Sequence, residues 1–394
     1  MADRISPDRL PAGTLQRMHH PSASLLSFLH PSSIRKWCVA GIALALGSTA
    51  SAGTFDLSGL PAYQPRQPVS GLIRNYGFGF GGLLKIWEAG FQKYHPGVTF
   101  QDTLITSDAA FPALVTGVTD LAPDGGEPAI TEELSFFETY GYHATDVIVA
   151  SGTYDVEGKS PGIVVYVNPE NPLTQLTLQQ LDGIFGSERN GALRGFKWDL
   201  KAGRGPELNI RTWGQLGLTG EWAHQPIQTY GHAPSGTTRF FQLRVLHNSD
   251  KWNPNYRGYV ETGSKMIDDD DKAEQRGGAQ HMLREELMKN KYGIAWTIVP
   301  QASQVPGLKP IALAANDGGP YVMPSKITFQ NRTYPLVRNL YFYLNRKPGA
   351  PVDPKLKEFL RYILSREGQQ AIVVNGNYLP LPAAMIREQL AKLN

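Results

Sequence analysis

Cysteine is almost absent: Cys38 is the single one in 394 residues. A lone thiol excludes an intramolecular disulfide and any cysteine-based metal site. The apolar run from Trp37 to Gly47 is far short of the roughly 20 residues that span a bilayer. No later stretch approaches that length. The nine histidines form no His-Glu-x-x-His pattern. The acidic run Asp268–Asp271 lacks the alternation, turn glycine and closing glutamate of a calcium loop, and reads as a solvated loop. No metal site and no cofactor are expected. A charge excess is also missing from the body of the chain. Residues 1–52 hold five of the 38 basic and two of the 35 acidic side chains, which leaves 33 of each sign beyond them. That balance argues against a nucleic-acid binder, which needs a basic face to displace counterions. What is present fits a globular chain of two or three domains, 41% hydrophobic and 19% charged.

Residues 1–52 read as a signal peptide. Arg35-Lys36 precedes the apolar run, and Ala50-Ser51-Ala52 offers a cleavage site after Ala52. Cleavage removes Cys38. The mature protein is then exported and soluble, and the bacterial periplasm is the expected compartment.

Residues 53–70, rich in Pro and Gly, read as an extended arm. Strands are expected at Gly71–Tyr76, Val98–Leu104, Asp120–Ala122, Asp146–Ala150, Ile163–Val167, Ile210–Trp213, Ile227–Tyr230, Gly293–Trp296 and Tyr341–Asn345. Helices are expected at Leu83–Tyr94, Ala109–Val118, Thr131–Phe137, Leu178–Phe185, Ser235–His247, Ala279–Asn290, Asp353–Leu364 and Ala383–Leu393, with Thr131 as a partial capping box. Gly186–Pro206 is a Gly- and charge-rich excursion. This alternation predicts open α/β domains with mostly parallel sheets, whose ligands sit at strand ends beside helix starts.

Three strand–turn–helix boundaries could carry chemistry. Gly77-x-Gly79-x-x-Gly82, with Asp102 twenty residues on, has the form of a dinucleotide fingerprint. Export argues against a nicotinamide ligand; a Gly-rich turn that brings backbone amides to an anion uses the same physics. Thr106-Ser107-Asp108 could bind a ligand or simply cap the helix at Ala109. Ser235-Gly236-Thr237-Thr238-Arg239 could form an oxyanion nest with fixed positive charge, or a capped helix with a solvent-facing Arg. Ser235 lacks the Gly-x-Ser-x-Gly setting of a hydrolase elbow.

Five stretches in order resemble the phosphate-binding proteins of bacterial ABC importers, which are type 2 periplasmic binding proteins. They are Ile163–Pro172 followed by Leu176–Phe185, Ser235-Gly236-Thr237 with Phe240-Phe241, Tyr334–Tyr341, Phe359–Gln369, and Tyr378–Pro382. The resemblance spans about residues 71–385. It implies an α/β fold of two lobes with a ligand cleft between them. The first lobe would comprise 71–160 and 308–394, the second 161–307. It implies capture of inorganic phosphate for an ABC permease in the inner membrane, by a monomer without catalysis. Ser235, Gly236 and Thr237 match the family site directly, and Ser107 matches its second-strand serine. The remaining candidates are Phe78, Gly79 and Phe80 through their backbone, with Thr106, Asp108 and Arg239. Two departures stand out. Phe78-Gly79-Phe80 replaces the usual hydroxyl, and Gly231–Pro234 replaces the usual upstream Arg, so that either Arg239 or His232 substitutes or the site is less cationic. The acidic group that reads a ligand proton is open among Asp108, Asp124 and Glu127. Alternatives are another oxyanion, an organic phosphate, or an exported phosphoesterase using Ser235.

Overall fold

A computed structural model describes residues 55–261 and 278–394. The expected signal peptide and the run Asp268–Asp271 lie outside the described residues. Two large hydrophobic cores organise the described residues, one containing Trp87, Phe91, Phe342 and Phe359, the other Val165, Phe241, Trp296 and Phe329, and a smaller cluster gathers Phe111, Phe136, Tyr341 and Tyr343.

The first lobe is built on β1 (Gly71–Gly77) and β2 (Val98–Leu104), parallel from Gly71 opposite Val98 to Gly77 opposite Leu104. From Ile73 onward β1 alternates buried and partly exposed residues, as a half-covered strand must. Helix α1 (Leu83–Gln92) buries Leu83, Leu84, Trp87 and Phe91, one stripe of a 3.6-residue repeat. A bridge from Asn75 to Leu121 adds β3 (Ala122–Asp124) beside β1. Strand β10 (Asn339–Leu344) then pairs antiparallel with β3 and with β4 (Thr145–Ser151). The strand order is therefore β2-β1-β3-β10-β4. Helices α2 (Ala110–Val115), α3 (Ile130–Tyr140), α6 (Pro354–Ile363), α7 (Arg366–Asn375) and α8 (Ala383–Lys392) complete this lobe.

The second lobe has a five-stranded sheet in the order β7-β6-β8-β5-β9. These strands are β5 (Ile163–Val167), β6 (Gln228–His232), β7 (Arg257–Tyr259), β8 (Gly293–Ile298) and β9 (Lys309–Pro310). Every residue of β5 and β8 is buried, which fits their largely apolar sequences. Helices α4 (Leu178–Phe185) and α5 (Gly236–Val245) pack against each other in this lobe.

Several expectations need correction. The sheets are mixed, not mostly parallel: β5 runs antiparallel to β8 and β9, and β10 antiparallel to β3 and β4. The cause is the double crossing between lobes, since β10 enters the first lobe where β4 leaves it. The expected division at 307/308 falls too early. Ile311, Leu313, Phe329, Tyr334, Leu336 and Val337 all pack in the second core. Ile210–Trp213 forms no strand; Trp213–Leu216 is a 3-10 turn. Ala279–Asn290 is a short α-helix that widens into a π-turn over Met282–Leu287. Thr131 does not cap α3; Ala129 is its N-cap, and the Glu132 carboxylate accepts the Ala129 amide. Helix α7 carries no counterpart among the expected elements.

The arm has no helix or strand between 55 and 70, yet it packs on the first core through Leu57, Leu60 and Tyr63. The Tyr63 hydroxyl donates to Glu358 at 2.8 Å and lies 2.8 Å from His95 Nε2.

Two segments cross between lobes, 152–162 outward and Val337–Arg338 back. They are laced together. The Gly152 amide donates to the Arg338 carbonyl at 2.9 Å, and the Ile163 amide to Leu336 at 3.0 Å. Arg332 Nη1 adds bonds to the Arg338 carbonyl (3.0 Å) and the Ser151 hydroxyl (3.3 Å). The approach is so close that a Cβ on Gly152 would sit 3.2 Å from Arg338 Cβ.

Candidate functional site

The first turn after β1 is shaped by packing. Gly77 has φ +147°, and a Cβ there would lie 2.3 Å from the Pro123 carbonyl. Its glycine therefore serves the contact with β3. The Phe78 amide is already bound to that same carbonyl at 2.8 Å. Phe80 turns inward: its ring is fully buried and meets Trp87, Phe342 and Tyr378 edge-on. Its aromatic side chain fills the core and leaves only its backbone for a ligand. Phe78 stays half-buried, with its ring against the backbone of Gly125. Amides at the start of a helical turn have no partner within it, and Gly79 and Phe80 occupy such positions. Asp102 accepts from Asn75 Nδ2 at 2.9 Å and pairs with Lys85. It is held against α1, so the dinucleotide pattern lacks its acidic member.

The turn after β2 meets the turn after β3. Ser107 Oγ accepts the Gly125 amide at 3.0 Å, and Asp124 Oδ1 accepts the Gly126 amide at 3.1 Å. Asp124 is buried, and that burial pushes its carboxyl up to about 7 against the opposing bonds from Ser107 and Gly126. Of the three acidic candidates, Asp124 is the one in hydrogen-bonding contact with this turn. Thr106 is exposed, and its hydroxyl does not cap the following turn. Asp108 is exposed and faces Arg239.

The second lobe contributes the start of α5. Ser235 is its N-cap, and its hydroxyl accepts the Thr238 amide at 3.2 Å. Thr238 is turned back onto the Ala233 carbonyl at 2.6 Å. The Thr237 hydroxyl donates to Glu261 Oε1 at 3.1 Å. Gly236 remains exposed at the helix start, where free amides and the helix dipole favour an anion. His232 is fully buried, its Nε2 3.0 Å from Thr297 Oγ1, and burial pulls its pKa down. It supplies no charge to the cleft and no base to Ser235.

The missing cation comes from elsewhere. Arg338, in the returning crossing segment, reaches between the lobes. A Cβ on Gly126 would lie 2.6 Å from Arg338 Nη2, and one on Gly236 would lie 4.0 Å away. The guanidinium therefore sits between the β3 turn and the start of α5. It stands 5.6 Å over the Phe240 ring. Desolvation lowers its pKa, opposed by the carboxylates of Glu127, Glu261 and Asp124. Its Nε is buried without a hydrogen-bond partner. A buried donor without an acceptor is costly, and an incoming oxyanion would relieve that cost.

Arg239 plays a different part. It leaves α5 toward the first lobe, 3.9 Å from Asp108 and 4.0 Å from Glu132. Of the predicted residues, Phe78 and Ser107 touch the Gly125 turn, Gly236 lies beside Arg338, and Arg239 faces the first lobe, while Ser235 and Thr237 stay at the start of α5 and Gly79 in the first turn. The structure places Phe80 in the core and Thr106 and Asp108 at the rim. Arg338 and the Asp124-Gly125-Gly126 turn were not among the predicted site residues, although Asp124 was a candidate acid. The visible signals were a double glycine after an acid and an Arg inside the Tyr334–Tyr341 stretch.

Comparison with known proteins gives a consistent picture. Residues 77–367 match the PBP superfamily domain. The phosphate-binding protein PstS of Pseudomonas aeruginosa is 31% identical over 354 residues, covering 89% of this chain and 96% of that protein. Protein SphX of Synechocystis is 24% identical over 329 residues, covering 83% of each. Among solved structures, PstS from Borrelia burgdorferi covers 79% of this chain and 99% of its own, with TM-score 0.49 and 14% identity.

Proposed function

The chain belongs to the PBP superfamily, and from that premise we propose that it captures inorganic phosphate between its lobes and hands it to an ABC importer. The observation that carries this reading is Arg338. Its guanidinium lies between Gly126 of one lobe and Gly236 of the other, with an unpartnered nitrogen. An oxyanion there would touch both lobes and so favour their closure. The surrounding donors are of the kind that binds phosphate: helix-start amides, the hydroxyls of Ser107 and Ser235, and one fixed cation. Charge-assisted bonds contribute about 1.5–3 kcal/mol each, and micromolar binding needs only about 8 kcal/mol net. Half a dozen such bonds suffice after the costs of desolvation and closure.

Selectivity would rest on Asp124. As a carboxylate it accepts a hydrogen bond from a protonated phosphate oxygen and repels fully ionised sulfate. The likeness to PstS over nearly the whole of that protein supports the same ligand class. A leader at 1–52, cleaved after Ala52, would deliver the protein to the periplasm as a monomer that shuttles to the permease. Ser235 acts as a helix cap with no histidine beside its hydroxyl among the described residues, which favours binding over hydrolysis. The test is a calorimetric titration of anion-stripped residues 53–394. Phosphate is expected to bind at micromolar concentration or below, with sulfate excluded. Equal binding of the two anions, or none of phosphate, would defeat the proposal.

A further inference from the structure

The charges around Arg338 limit how negative a ligand can be. Asp124 and Glu127 of the first lobe and Glu261 of the second all act on its guanidinium. Arg239, the other cation facing this corner, is shared between Asp108 and Glu132. His232 lies behind the start of α5, fully buried, and burial pulls its pKa down. One fixed cation thus stands among three carboxylates. Each further negative charge on a ligand is attracted by one group and repelled by three, which favours a singly charged anion over a doubly charged one.

The direction of the hydrogen bonds points the same way. A carboxylate has no proton to give, so in the 3.1 Å contact between Thr237 Oγ1 and Glu261 Oε1 the hydroxyl is the donor. Its proton is committed, and only its lone pairs are left for a ligand. Thr237 is buried, and Glu261 acts on both Arg338 and His232, which puts this acceptor in the corner where Arg338 meets α5. Ser235 has the opposite polarity. Its oxygen accepts the Thr238 amide, and the Thr238 hydroxyl donates to the Ala233 carbonyl, so the Ser235 proton is free for a ligand. Each lobe therefore brings one acceptor to the cleft, Asp124 from the first and Thr237 from the second.

Resting on the phosphate reading above, we propose that the cleft selects dihydrogen phosphate, the singly charged form, by accepting one ligand proton at Asp124 and another at the Thr237 hydroxyl that Glu261 orients. Glu261 is a positioning residue: it fixes the direction of the Thr237 proton without touching the ligand. Above neutrality free phosphate is mostly the monohydrogen form, and Asp124, pushed up to about 7, has lost its proton. Forming the complex there must draw about one proton from solution. A site with a single acceptor would hold the monohydrogen form and draw none.

The test is calorimetry of the anion-stripped protein with inorganic phosphate at about pH 8, in two buffers of different ionisation enthalpy, which gives the proton uptake. About one proton per phosphate is expected, and the affinity should fall about tenfold between about pH 8 and about pH 9. Glu261→Ala frees the Thr237 proton to donate. Its uptake should drop to near zero and its affinity should stay within about twofold over the same range, with phosphate binding itself showing that the variant is folded. Thr237→Ser keeps the hydroxyl and should keep the uptake. Phosphate binding without proton uptake in the parent, or uptake that survives Glu261→Ala, would overturn the inference and keep the phosphate reading. Failure of phosphate to bind at about pH 6 as well as at about pH 8 would overturn the reading on which the inference stands.

Discussion

Arg338 solves a charge problem that its neighbours pose. The cleft brings Asp124, Glu127 and Glu261 within electrostatic reach of a single guanidinium. Without it the nearest remaining guanidinium is Arg239, which is already shared with Asp108 and Glu132. Arg338→Ala is therefore expected to weaken phosphate binding about 100-fold, near 2.7 kcal/mol, as one or two charge-assisted bonds would. Arg338→Lys should recover part of the loss, since it keeps the charge and gives up the planar fork. Calorimetry on both variants checks this; an unchanged Kd in Arg338→Ala would remove Arg338 from the site. Asp124 gives a pH signature. Its folded pKa of about 7 is above its ordinary value of 3.8. Between these values the folded chain keeps a proton that the unfolded chain releases, so stability is full below about 4 and is lost as pH rises through 7. Buried Glu88, also pushed up to about 7, acts with the same sign. Asp124→Asn should flatten the fall in urea midpoint of the ligand-free protein between pH 4 and 7, by at most about 1.4 kcal/mol per pH unit. It should also admit sulfate. An unaltered slope would show that Asp124 does not hold the proton.

At the scale of elements, the hinge is the place where backbone geometry decides. Gly152 and Gly162 permit the two crossing segments to touch. A Cβ on Gly162 would lie 2.4 Å from Phe329 Cε1 and 2.7 Å from the Leu336 carbonyl. Gly162→Ala is expected to destabilise the protein by roughly 1–3 kcal/mol, read as a lower urea midpoint. A midpoint equal to that of the parent would mean that the crossing is looser than described. Local patterns made much of this scale legible in advance. Val98–Leu104, Ile163–Val167 and Leu178–Phe185 have the bounds their sequences predict, because apolar periodicity and capping act over a few residues. Helix α7 was not legible: only Leu364 and the N-cap Ser365 stand between it and α6, too few for a loop to show. The antiparallel return of β10 and the assignment of Ile311–Val337 to the second core were not legible either, for both depend on contacts across more than a hundred residues. Arg338 belongs with these, since only the crossing of the chain brings it beside Ser235–Thr237.

For the whole molecule, function is the relation between the lobes. Besides the hinge, side-chain contacts join them across the cleft. Arg239 of α5 faces Asp108 and Glu132. On the excursion from the second lobe, Ala192–Arg194 and Lys197–Asp199 form a hairpin whose Phe196 stacks on His143, with centroids 5.0 Å apart, and packs on Phe137 of α3. This contact exists only while the lobes are together. Phe196→Ala should therefore speed phosphate release several-fold while leaving association nearly unchanged, as losses at an interface do; stopped-flow tryptophan fluorescence reads both rates. An unchanged release rate would make the hairpin incidental to closure. The central claim is that one anion ties the lobes together at Arg338. The most direct measurement is a crystal structure of the phosphate-bound protein. Phosphate oxygens are expected within hydrogen-bond distance of the Arg338 guanidinium, the amides at Gly236 and Thr237, and the Ser107–Asp124 turn. A phosphate bound away from Arg338, or to one lobe alone, would contradict it.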